Sequence, residues 1–110
     1  MLVRRYDEVE AIDAGQETKN TTLRWLISEK EGAPNFAMRL FEIGEGGHTP
    51  LHNHAWEHEA FVLSGQGVAI SQDAEHPIRG GAAVFVPGDE RHQFRNTGTE
   101  PLRILCIVPA

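Results

Sequence analysis

HEAFVLSGQGVAISQDAEHPIRGGAAVFVPGD, residues 58–89, carries the pattern that decides the fold class. Its apolar residues come in short runs around Phe61, Val68 and Val84, each closed within a few residues by glycine, proline or a polar turn. Runs this short, rich in valine and phenylalanine, suit strands rather than a helical stripe. "EAFVLSG", "GVAISQD" and "AAVFVPGD" read as strands, and "AEHPIRGG" reads as a turn between the last two.

The same rhythm extends outward. "TLRWLISE" alternates Leu23, Trp25 and Ile27 against Arg24 and Ser28, "EGAP" turns, and "NFAMRLFEI" resumes until "GEGG" is expected to stop it. "HQFRNTG" precedes a turn at "TGTEP", and "LRILCIVP" is the last strong strand. Eleven glycines and six prolines in 110 residues punctuate the chain, and no window holds an apolar period of helical length. Strands at roughly 8–12-residue spacing predict an all-β sandwich or barrel, with residues 1–110 as a single domain.

The net charge of −6, without a basic cluster, argues against nucleic acid and anionic membrane as partners. No apolar stretch approaches the roughly 20 residues a spanning helix needs. "MLVRRYDEVEAIDAG" lacks the apolar block of a secretory signal. The single cysteine, Cys106, excludes an internal disulfide, and the expected location is a reducing cytoplasm.

Three histidines, His52, His54 and His58, precede the strand at 59–65. Read as extended chain, His52 and His54 project to one side, and His58 swings back across "AWE". If His58 faces inward, Ala60, Val62 and Ser64 do too. His92 follows the strand ending at Val86 and Pro87, and Phe94 shares its parity. Imidazolium ions so close would repel one another, so the cluster points to a neutral nitrogen site for a divalent metal. His48 is placed on the preceding loop and His76 in a polar turn.

The segment from Gly46 to Gly65 resembles the first cupin motif, G-x5-H-x-H-x3,4-E-x6-G. Gly46, His52, His54 and Gly65 match, while His58 stands at the glutamate position; Glu59 fits only the longer spacing. Gly81 to Asn96 resembles the second motif, G-x5-P-x-G-x2-H-x3-N. Gly81, Pro87, His92 and Asn96 match, with Asp89 at the inner glycine and Gly88 one residue early. The chain thus resembles a small single-domain bacterial cupin of the four-histidine, manganese-type kind. The resemblance implies a cupin-type β-barrel (double-stranded β-helix, or jelly roll) with the two metal motifs at 46–96. It also implies a homodimer, to which an N-terminal arm of residues 1–30 is expected to contribute.

The implied ligands are His52, His54, His58 and His92. Manganese is implied by the resemblance alone; imidazole donors also suit iron, nickel, copper or zinc. An all-histidine set leaves the ion its full charge, and four ligands on an octahedral ion leave two positions for water, O2 or a chelating substrate. Around the site, Arg39 shares a face with Ala37, Phe41 and Ile43. It is read either as a fork for a substrate carboxylate or as a solvent-facing ion-pair partner. Cys106 is either a packed, inert thiol or a pocket thiol open to oxidation. Phe94, with Trp56, is placed near the pocket mouth, and Glu57 and Glu59 are candidate acceptors for histidine N–H groups. No nucleophile–histidine–acid set or phosphate loop is present. The leading expectation is a metal-dependent, dioxygenase-like oxidoreductase acting on a small organic substrate. The alternatives are a non-redox Lewis-acid isomerase or lyase and a non-catalytic ligand-binding or sensor module.

Overall fold

The computed structural model describes all 110 residues. Nine strands follow in order: β1 (Ile12–Asp13), β2 (Lys19–Ile27), β3 (Phe36–His48), β4 (His58–Ser64), β5 (Gln66–Ile70), β6 (Glu75–Arg79), β7 (Ala83–Val86), β8 (Gln93–Asn96) and β9 (Leu102–Pro109). The helical content is two single 3-10 turns, Tyr6–Glu8 and Glu29–Glu31, so the all-β expectation holds. The second turn is capped by Ser28, whose hydroxyl accepts from Lys30 N while Glu31 reaches back to Ser28 N.

All pairings are antiparallel, in the order β6-β5-β8-β3-β9-β4-β7, with β1 on β2 and β2 on β3. β4 and β8 stand three places apart in this order. The ring of His58 on β4 and that of His92, next to β8, are nevertheless 5.2 Å apart. The sheet therefore curls on itself into a barrel.

β9 is the spine of the barrel, pairing β3 on one side and β4 on the other. Its alternation turns Leu102, Ile104, Cys106 and Val108 inward, with Leu102 fully buried. With Ile43, Val62, Ile78, Val86 and Phe94 they fill much of the interior with apolar side chains. The predicted parities are observed for His58, Ala60 and Val62 and for His92, Phe94 and Asn96, all buried, whereas Ser64 is half-buried beyond a register shift against β9.

Four local expectations are corrected. β3 does not stop at "GEGG" but runs on to His48. The glycines there serve close approach rather than a turn, since a Cβ on Gly47 would lie 2.6 Å from the Lys19 carbonyl oxygen of β2. His48 is consequently the last residue of β3, paired with Lys19 and Arg95, not a loop residue. "AEHPIRGG" contains strand β6, and His76 lies on it. Pro77 is tolerated because β6 is an edge that pairs only with β5. Finally, His52 and His54 are not on a strand; residues 49–57 form a loop, within which His52 makes one isolated β-bridge to His92.

Candidate metal centre

That loop is held at three points by the chain around β7 and β8. Thr49 and Phe94 exchange bonds, with Thr49 N donating to Phe94 O and Phe94 N to Thr49 Oγ1, both at 2.9 Å. His52 and His92 pair backbone to backbone (3.2 and 2.9 Å), and Asp89 N donates to His54 O at 2.7 Å. Asp89 adopts φ +66°, the left-handed conformation for which glycine is usual and aspartate among the better tolerated substitutes. Its neighbour Gly88 packs so tightly against the Ala55 carbonyl that a side chain would not fit. Asn96 completes the frame, donating to Ile43 O and Glu100 O at 2.9 Å each.

The frame brings the imidazoles together. The donor atoms of His52, His54 and His92 all lie within 4.8 Å of one another. His58 enters from β4; its Nε2 is 2.5 Å from that of His54, and the two rings are stacked. These side chains line a cavity of about 120 Å³ with Arg39, Phe41, Trp56, Phe94 and Cys106. His48 and His76 lie outside it.

The tautomers suit a metal. His54 Nδ1–H donates to the Trp56 carbonyl and His92 Nδ1–H to the Glu90 carbonyl, both at 2.8 Å. Each bond places the proton on Nδ1 and leaves the Nε2 lone pair free for an ion. These carbonyls fill the role considered for Glu57 and Glu59, which are exposed. Sequence reading missed them because a backbone acceptor leaves no mark on residue type. His58 is different: its Nδ1 lies 3.0 Å from Cys106 Sγ and 3.4 Å from Arg39 Nη2. Arginine can only donate, so a His58 that ligates through Nε2 must place its Nδ1–H on the sulfur of Cys106.

We therefore expect Cys106→Val, which keeps the bulk and removes the acceptor, to weaken metal affinity about 10–100-fold. Competition with a metallochromic chelator measures this; unchanged affinity would remove Cys106 from the support of His58.

The electrostatics point the same way. Burial, reinforced by the positive charge of Arg39 and the neighbouring imidazoles, pushes His58 down to about 3. Burial lowers His52 and His92 as well, with neighbouring imidazoles adding to the effect. Burial raises the Cys106 thiol, against the opposing pull of Arg39. Neutral imidazoles are what a divalent ion requires.

The consequence for the metal-free chain has a definite sign. With folded values below the unfolded 6.5, the unfolded state binds more protons, so stability is complete above pH 6.5 and falls with pH, for His58 until about 3. Urea melts of the metal-free chain between pH 7 and 5, above the main carboxylate range, should show this decline, and His58→Gln should flatten it. A flat wild-type profile would refute it.

The family model of the cupin domain matches residues 39–108, which takes in the histidines, both motifs and the β9 spine. The chain is a cupin. This cupin is 34% identical to the polyketide cyclase RemF of Streptomyces resistomycificus, with a TM-score of 0.91 over 99% of this chain and 79% of that one. It is also 38% identical over 73 residues to a 1-methylthio-D-xylulose 5-phosphate methylsulfurylase of Rhodospirillum rubrum, covering 66% of this chain and 47% of the relative. An oxalate-binding protein of Thermotoga maritima is 34% identical over 86 residues, 74% of this chain and 70% of that protein. Several curated relatives are longer proteins, of which this cupin spans about half.

Proposed function

We propose that this cupin is a metal-dependent enzyme for a small organic substrate, with His52, His54, His58 and His92 as ligands of one divalent ion. The observation that carries the reading is the convergence of imidazoles on one cavity, two of them with the Nδ1 proton held on a backbone carbonyl. When bound, the ion supplies Lewis-acid polarisation of a ligated oxygen and, as manganese or iron, redox capacity towards O2. The chain supplies the rest. Phe94 and Phe41 wall the cavity with apolar surface, Trp56 stacks on His54 at 4.3 Å, and Cys106 supports His58.

The oxidoreductase form of this reading is dioxygenase-like, with manganese the first choice of metal and O2 as cosubstrate in a reducing cytoplasm. A non-redox form is supported by relatives named as a cyclase and a methylsulfurylase, whereas the oxalate-binding relative supports binding without turnover. One experiment separates them. Protein loaded with Mn2+, Fe2+ or Zn2+ is assayed aerobically on a panel of small acids and polyols for O2 uptake and product. Substrate-dependent O2 uptake with Mn2+ or Fe2+ alone supports the dioxygenase-like form. Full turnover with Zn2+ supports the Lewis-acid form, and saturable binding without product with every ion overturns the enzyme reading.

The proposed assembly is a homodimer. The outer face of β4 and β7 exposes Phe61, Leu63 and Phe85, flanked by half-buried Leu105 and Ile107 of β9. Burial of such a face is favourable, and a second copy would cover it. In the single chain the N-terminal arm lies on its own sheet, where Arg24 Nη1 donates to the Tyr6 and Val9 carbonyls and the ring of Tyr6 sits beneath Arg24 and Arg103. A sedimentation mass of one chain would refute the dimer.

A further inference from the structure

Arg39 is the one permanently charged side chain lining the cavity, and it has no counter-ion. The four ion pairs of the structure use Arg4, Arg5, Arg24 and Arg103. Its Nε is buried without a partner. Nη2 donates to Cys106 Sγ at 3.2 Å and faces His58 Nδ1, while Nη1 takes part in no hydrogen bond. The Trp25 and Phe41 rings, 5.3 and 5.0 Å from the guanidinium carbon, hold the group against apolar surface. A half-buried arginine with a dry Nε and no carboxylate partner is unfavourable, and the histidines beside it supply no negative charge. A divalent ion at those histidines would add positive charge to a cavity that holds no acid.

We propose that Arg39 is an anion seat, so that the substrate is a compact organic acid with its carboxylate on Arg39 and its other end towards the histidines. The inference rests on the metal-site reading above and names its substrate class. A carboxylate fits better than a phosphoryl group, because the lining offers one guanidinium edge and no lysine for a second charge. A cavity of about 120 Å³ also restricts the acid to a small one.

Pyruvate and pyruvamide, alike in shape and differing in charge, test the seat by calorimetry on Mn2+-loaded and metal-free protein. The proteins compared are wild type, Arg39→Gln, Arg39→Lys and the exposed control Arg95→Gln, with metal content measured separately by mass spectrometry. Wild type and Arg95→Gln should bind pyruvate at least about 10-fold more tightly than pyruvamide. The preference should vanish in Arg39→Gln and partly return in Arg39→Lys, while metal content stays the same in all four. A pyruvate preference in a chain that takes up no metal would keep the seat and discard the metal reading. Metal uptake with equal binding of the two ligands, with a preference that survives Arg39→Gln, or with no saturable pyruvate binding would discard the seat and keep the metal.

Discussion

His92→Ala is expected to cripple metal affinity while leaving the metal-free fold almost unchanged. His92 belongs to the trio whose donors lie within 4.8 Å, and its ring is oriented by the Glu90 carbonyl, so no neighbour can replace it. Losing a ligand should cost more than the loss of a supporting contact, so affinity should fall by more than about 100-fold. Wild-type protein in metal at about a thousand times Kd gains about 4 kcal/mol, which at this chain length raises Tm by on the order of 15 °C. A variant about 100-fold weaker would still gain about 1.4 kcal/mol under the same conditions, so it should show no more than about a third of that rise. In chelator the two proteins should melt close together, because the lost imidazole lines a cavity wall and belongs to neither apolar core cluster. His58→Glu is the companion, since it restores the carboxylate of the cupin motif and should retain metal. If His92→Ala keeps the wild-type metal affinity, the four-ligand proposal is wrong.

Gly65→Ala should be strongly destabilising although it lies away from the metal. Gly65 has φ +87°, and a Cβ there would lie 2.8 Å from Leu102 Cα and closer still to the Pro101 carbonyl oxygen. Left-handed strain of about 1–2 kcal/mol and a backbone clash worth about 1–3 kcal/mol predict a loss of roughly 2–5 kcal/mol. Gly46 provides the contrast. It also has positive φ, at +73°, but nothing lies within 4 Å of its Cβ position, so Gly46→Ala should cost only about 1–2 kcal/mol. Denaturant melts measure both. Equal losses would mean that the close approach of Gly65 to the start of β9 is not what requires glycine there.

These glycines show what residue types reveal and what they conceal. Gly65 and Gly81 mark backbone that must turn left, and the motif spacing placed them correctly. Gly47 carries the same letter for another reason, the proximity of β2, which no local pattern announces. β9 was readable to its ends because "LRILCIVP" is a nearly unbroken apolar run between two prolines, Pro101 and Pro109. β6 was hidden by Pro77, whose meaning depends on whether the strand has a second neighbour. The histidines were legible as a cluster but not as loop residues, since a loop pinned by long-range backbone bonds can aim two side chains as a strand does. Asp89, a departure from the glycine of the motif, keeps the motif's backbone at φ +66°. The chemistry of Arg39 was undecided from sequence because its isolation depends on which acids fold within ion-pair reach, and none does.

The two tryptophans occupy separate posts, Trp56 in the cavity lining and Trp25 outside it. Trp56 lies flat on His54, with ring planes 8° apart, and Trp25 lies over Arg39. Indole emission responds to a neighbouring ring's charge and to a paramagnetic ion, so the chain carries two native optical reporters. Trp56 reads the imidazoles and Trp25 reads the guanidinium, and single Trp→Phe variants would let metal and acid be followed in one cuvette without a label.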